Sequence, residues 1–306
     1  MYLFPSPNNI IFPFYHTISD GECPHIKNLY PVKSSKQFEK ELDYFQKNFH
    51  TISLEEIQSH IKNKTQPKKP SFFLSFDDGL KGCFTTIAPI LKTRNLTAAF
   101  FLNTDFVDNQ ALFYRYKVSL IIEKIRLQNL EFRISNSELL KLAYGNIDQI
   151  DEIAHELNVN FDEFLKKEKP YMGWDEIENL YEQGFCIGGH SVSHPYFSQI
   201  SQQEQIFQTQ RSVDIVQEKL NLNYRIFSFP FTDAGITKSY FETIYKEKIC
   251  ELTFGTAGIK KDEFSQNLQR IPMDNCLNSP EKFIQKQILQ YQLKTLLKID
   301  IVKHPK

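Results

Sequence analysis

The chain has 306 residues, 41% of them hydrophobic and 24% charged, with a formal net charge of −1. This is enough apolar side chain for a sizeable core without disulfide staples. The balanced charge gives no electrostatic reason to expect a nucleic acid or an anionic membrane as partner. Five scattered cysteines, Cys23, Cys83, Cys186, Cys250 and Cys276, form no CxxC pair and read as buried reduced thiols rather than a disulfide framework or cysteine zinc site. There is no apolar run long enough for a membrane span. The opening "MYLFPSPNNIIFPFYH" lacks the basic and apolar regions of a signal peptide, so the expected location is cytoplasmic.

In chain order, the first strand is expected over residues 10–15 ("IIFPFY"), followed by a helix with Phe38, Leu42 and Phe45 on one face. Further strands are expected over 72–76 ("FFLSF") and 98–102 ("AAFFL"). Residues from about 109 to 169 are rich in Lys, Glu, Asn and Leu with helical spacing. They read as a helical insertion that decorates the fold rather than covering a site. A helix in "WDEIENLYEQG" carries Ile177, Leu180 and Tyr181 on one face and ends at Gly184. Strands at 185–187, 226–231, 252–254 and 268–273 follow, and an amphipathic helix at about 280–300 closes the chain. The alternation of strands and helices predicts an α/β fold, a distorted (β/α) barrel of about seven parallel strands within a single domain spanning 1–306. In such barrels the chemistry lies beyond the C-terminal strand ends, where this sequence places His16, Asp77-Asp78 and His190.

Two motifs stand out. In "SFFLSFDDG" a pair of carboxylates follows a strand, and burying both is costly unless a cation compensates them. In "IGGHSVSHP" two histidines lie four residues apart, and Gly188-Gly189 is expected to let the backbone turn so that they converge. Two imidazoles and one carboxylate suit zinc or its first-row neighbours and leave a position open, the layout of a catalytic site.

Together "FFLSFDDG" and "HSVSH", with the helix in "GWDEIENLYEQGFCIGGHS" and the opening "FYHTISD", resemble the NodB-homology polysaccharide deacetylases, carbohydrate esterase family four. The resemblance implies that Asp77 is the general base and that Asp78, His190 and His194 are metal ligands. It implies that Phe231, in "FSFPF", offers its backbone N–H to an oxyanion. The family's usual arginine position falls on Ser228, and the nearby Arg225 has the wrong spacing. Arg270, in "QRIPMD", is the candidate to replace that arginine beside Asp77, against the alternative of a salt bridge at the barrel rim; Asp274 is a lesser candidate. The usual acid histidine is not found late in the chain, where His304 is a poor substitute. His16 is either the acid or a residue that hydrogen-bonds a loop. The implied activity is metal-dependent removal of N-acetyl groups from a carbohydrate, with zinc expected and cobalt, nickel or manganese as alternatives. A metal-dependent amidase on a non-sugar amide or imide, or a weakly active carbohydrate-binding relative, are the other readings.

Overall fold

The computed structural model describes residues 7–277 and 279–306. Its centre is one sheet of parallel strands: β1 (Pro13–Tyr15), β2 (Leu74–Phe76), β3 (Ala98–Leu102), β4 (Cys186–Gly189), β5 (Ile226–Ser228), β6 (Leu252–Gly255), β7 (Asn267–Gln269) and β8 (Ile271–Pro272). The spatial order is β7-β6-β5-β4-β3-β2-β1-β8. The two ends of this series, β7 and β8, are one run of chain broken only at Arg270. The Arg270 N–H bonds to Gly255 of β6, and the Ile271 N–H bonds to Phe12 beside β1. One continuous segment therefore joins both ends of the sheet and closes it into a barrel. This is the distorted barrel of about seven strands that the sequence predicts, its seventh strand kinked where it changes partner. The first two predicted strands are broken as well. Ile10–Ile11 and Ser71–Phe72 pair with each other in a small outer sheet before the chain enters β1 and β2.

Strand side chains alternate between faces with period two, and that alternation builds the barrel interior. Phe12, Phe73, Ala99, Cys186, Ile226, Leu252 and Leu268 belong to one buried apolar cluster at the lower level. Two residues further along their strands come Phe14, Ser75, Phe101, Gly188, Ser228, Phe254 and Arg270. Two further again, beyond the strand ends, come His16, Asp77 and His190. The sequence thus turns from apolar to polar along the barrel axis without changing phase. The opposite phase packs outward: Tyr15, Phe76, Phe100 and Ile187 join Phe38, Leu42 and Phe45 of helix α1 (Ser35–Asn48). A reciprocal capping box between Ser34 and Gln37 starts α1.

Gly188 and Gly189 lie inside β4, and neither has a positive φ. The expectation that they permit a turn is corrected: they permit close packing. A Cβ on Gly188 would sit 2.7 Å from Ile226 and Phe101 side chains, and one on Gly189 would sit 2.7 Å from the Ser212 hydroxyl. The turning is done by Ser191 (φ 73°) and His194 (φ 57°).

The segment after β3 forms helix α2 (Tyr114–Leu127) and the shorter helices Asn136–Leu139, Ile147–Glu156 and Phe161–Glu168, with their own apolar core. Helix α3 (Trp174–Glu182) leads into β4, ending before Gly184 at φ 90°. Helix α4 (Pro280–Leu296) packs Ile284, Ile288 and Tyr291 inward. No described helix is long and apolar enough to cross a membrane. Cys83, Cys186, Cys250 and Cys276 are buried, and Cys23 is partly exposed.

Candidate active site

Asp77 and Asp78 leave β2 in succession and ought to point to opposite faces. Asp78 adopts φ 72° and Gly79 φ 65°, a left-handed pair that swings the second carboxylate back toward the barrel axis. Asp78 Oδ1 lies 3.4 Å from His190 Nε2 and 3.3 Å from His194 Nε2. The two imidazole rings are 5.0 Å apart and all three residues are buried. Asp78 Oδ1 has no hydrogen-bond donor, although buried carboxylate oxygens rarely lack one. His190 Nδ1 bonds the carbonyl of Ser228 at 2.8 Å, which fixes the ring with Nε2 toward Asp78. Asp78, His190 and His194 could hold a metal ion. Burial pushes the Asp78 carboxyl up, but the two imidazoles outweigh it and hold it well below the usual carboxylate range.

Asp77 stands beside this triangle, its Oδ2 4.0 Å from His190 Nε2. Arg270 grips it with two parallel hydrogen bonds of 2.8 and 2.7 Å. The same guanidinium donates to the hydroxyls of Ser75 (3.0 Å) and Ser228 (2.6 Å), and its carbon lies 4.2 Å from the centre of the Phe14 ring. Arg270 is fully buried, so the rim salt bridge is not what forms. Burial would raise the Asp77 carboxyl, but the Arg270 charge reverses the effect and leaves it below its ordinary value. Ser228 contributes a hydroxyl to the pair.

His16 is partly buried across the cleft, its Nδ1 2.6 Å from Asp274 Oδ2. Burial opposes its charge, yet the Asp274 carboxylate outweighs burial and raises the imidazole to about 9. Asp274 therefore joins the site from the short turn after β8. Phe231 has φ 58°, and the Thr232 N–H reaches back to the Pro230 carbonyl at 2.6 Å, a tight three-residue turn. Its ring stacks on Tyr196 at 5.0 Å and meets the edge of His194 at 4.6 Å. Left-handed φ at Asp78, Ser191, His194 and Phe231 concentrates backbone strain around one pocket.

His16, Asp77, Asp78, His190, His194, Tyr196 and Phe231 line a cleft of about 510 Å³ together with Tyr30, Phe113, Arg115, Thr256 and Asn275. A larger cavity of about 700 Å³ lies among the insertion helices, away from the triangle. The insertion does more than decorate. Tyr116 of α2 donates to Asp78 Oδ2 at 2.9 Å, and the Phe113 ring lies 4.3 Å from that of His194. The Tyr144 hydroxyl is 2.8 Å from that of Ser193. No pattern around "FYRYKV" points to Tyr116, because its partner is 38 residues away and helical spacing does not say what the helix packs against. His304 lies outside the cleft, 3.1 Å from Asp262. Arg225 binds Asp214 and the Ile249 carbonyl, away from Asp77.

A profile described as polysaccharide deacetylase matches residues 64–247, more than half of the chain and the stretch that holds both carboxylates and both histidines. The chain belongs to the polysaccharide deacetylase family. Family membership makes it a carbohydrate deacetylase, a hydrolase. No curated protein matches the chain. Solved structures share the fold at low identity. The deacetylase PplD of Streptococcus pyogenes, in complex with acetate, is 17% identical with a TM-score of 0.61, over 91% of this chain and 97% of its own. IcaB from Ammonifex degensii is 14% identical with a TM-score of 0.59, over 91% and 95%. A de-N-acetylase from Aggregatibacter actinomycetemcomitans is 16% identical with a TM-score of 0.56, over 91% and 99%. His16, Arg270 and Asp274 of this polysaccharide deacetylase lie outside the profile match, and the barrel closure brings them to its residues.

Proposed function

We propose that the protein removes N-acetyl groups from a carbohydrate by metal-assisted hydrolysis, with Asp78, His190 and His194 holding the ion. The observation that carries this reading is the buried triangle of Asp78 Oδ1 and two Nε2 atoms, with the ionised Asp77 beside it. The donor set fits a divalent first-row ion, zinc first and cobalt, nickel or manganese as alternatives, because the buried Asp78 oxygen faces both imidazole nitrogens and lacks a donor of its own. When bound, such an ion supplies Lewis acidity toward water and an acyl carbonyl.

The chain's own groups divide the remaining work. Asp77, kept ionised by Arg270, accepts the proton of the attacking water. Arg270 is a positioning residue, since it fixes the carboxylate without reaching the reacting atoms. The Phe231 N–H donates to the oxyanion, and one such donor is worth about 3–4 kcal/mol. His16, kept protonated by Asp274, gives a proton to the departing amine. The aromatic wall of Tyr30, Phe113, Tyr196 and Phe231 offers faces to a sugar ring. That PplD was solved with acetate agrees with this direction of reaction.

Asp77→Asn tests the assignment. It should keep its metal and lose turnover by about 10²-fold or more. An Asp77→Asn protein that releases acetate at the wild-type rate contradicts the base assignment.

A further inference from the structure

We infer that the substrate carries an anionic group next to its N-acetylated sugar and that Arg115 binds it; this rests on the deacetylase reading given above. Arg115 is the second residue of α2, between Phe113, which packs on His194, and Tyr116, which bonds Asp78. These two anchors hold the start of α2 against the site, so Arg115 is fixed on the cleft wall. Its guanidinium carbon lies 6.0 Å from the centre of the Phe231 ring, whose edge-on partner is His194. Arg115 is thus one aromatic ring removed from the triangle.

The charges around it single it out. Asp77 is paired with Arg270, His16 with Asp274, and Asp78 lies between two imidazoles. Among the described residues Arg115 makes no ion pair; its polar neighbour is the Tyr114 side chain. It is half-buried in an aromatic wall, where water screens it less than at an open surface. A guanidinium in this position presents a planar fork that matches the oxygens of a phosphate or carboxylate. Two sources supply that chemistry: a phosphodiester on the anomeric oxygen of the sugar, or the carboxylate of an adjoining uronic acid.

The test compares acetate release from three substrates with the same N-acetylglucosamine unit: its methyl glycoside, its methyl phosphodiester and its glycoside to glucuronic acid. Wild type should favour at least one anionic substrate by about tenfold or more in kcat/KM, mainly through KM, the scale of a charge-assisted hydrogen-bonded contact. Raising the ionic strength should narrow that preference. Arg115→Gln should bring the ratio close to one, and Arg115→Lys should keep part of it because the charge remains while the fork is lost. The salt series and the lysine variant carry the test should the glutamine variant fail to fold. Equal efficiency on neutral and anionic substrates, or a preference that survives in Arg115→Gln, overturns the subsite and leaves the deacetylase reading intact. Absence of acetate from all three substrates overturns that reading and the subsite with it.

Discussion

Arg270 and Asp77 are 193 residues apart, yet they make the most completely bonded contact in the cleft. The arginine that the family resemblance placed at position 228 arrives instead from the closing strand, while Ser228 supplies a hydroxyl to the same pair. The sequence offers Arg270 as a replacement for that missing arginine, with a salt bridge at the barrel rim as the alternative. It could not show burial, because Arg270 faces inward in phase with Leu268 only once the strand has closed the barrel, and local pattern does not record that closure. Asp274 was harder to see, since an aspartate in a short turn is ordinary until His16 is found 2.6 Å away. That pair makes a pH prediction. Its raised value means that His16 carries a proton at neutral pH and loses it as pH rises through about 9. The rate should therefore fall on the alkaline side near there. In Asp274→Asn burial should no longer be opposed by the neighbouring charge, and the alkaline limb of kcat/KM should move toward lower pH. A limb that stays in place in this variant means that another group is the acid.

At the scale of elements, the helical insertion is where sequence and structure differ most. Its helices were legible from spacing, because Val118, Ile121 and Ile122 of α2 turn inward. Its place was not legible, because a helix's periodicity says which face is buried and nothing of what it is buried against. The contact that matters is the Tyr116 hydroxyl on Asp78 Oδ2, which fixes the carboxylate with Oδ1 toward the histidines. Burial and the Asp78 charge keep the phenol protonated and a donor. Tyr116→Phe should weaken metal affinity by about 10- to 100-fold, the usual cost of losing a hydrogen bond to a ligand, while the fold survives. Competition titration with a chelating dye measures this; an unchanged affinity would make the insertion a cover rather than a support. The glycine pair of β4 teaches a related lesson. The spacing of the two histidines was readable, but the reason for glycine lay in neighbours from β3, β5 and the following helix, which adjacent sequence does not record.

At the scale of the whole molecule, the C-terminal tail is tied behind the site. His304 Nε2 lies 3.1 Å from both oxygens of Asp262, and Asn267 and Gln269 of β7 bridge Asp262 to Asp233. Asp233 in turn bonds the Thr256 N–H, and the Thr256 hydroxyl bonds the Phe231 carbonyl. Burial opposes charge on His304, but Asp262 prevails and raises its value. A raised histidine stabilises the fold fully below its unfolded value, and that contribution is lost as pH rises through the folded one. His304→Ala should cost about 3 kcal/mol at about pH 6, where the carboxylates lose their cation, and less at a pH above the raised folded value. Denaturant unfolding at the two pH values checks it; a cost independent of pH would leave packing against Phe241 as the only role. The barrel was legible because its seven apolar runs each end in polar or glycine residues. Its closure by a single run that serves two neighbours was not, because local pattern does not encode a change of partner. The most direct test of the whole account is metal content measured alongside acetate release, in wild type and His194→Ala, before and after chelation. Wild type should hold one divalent ion per chain, lose activity on chelation and regain it when the ion is added back, and His194→Ala should show neither ion nor activity. Full acetate release from a metal-free chain, or from His194→Ala, would contradict it.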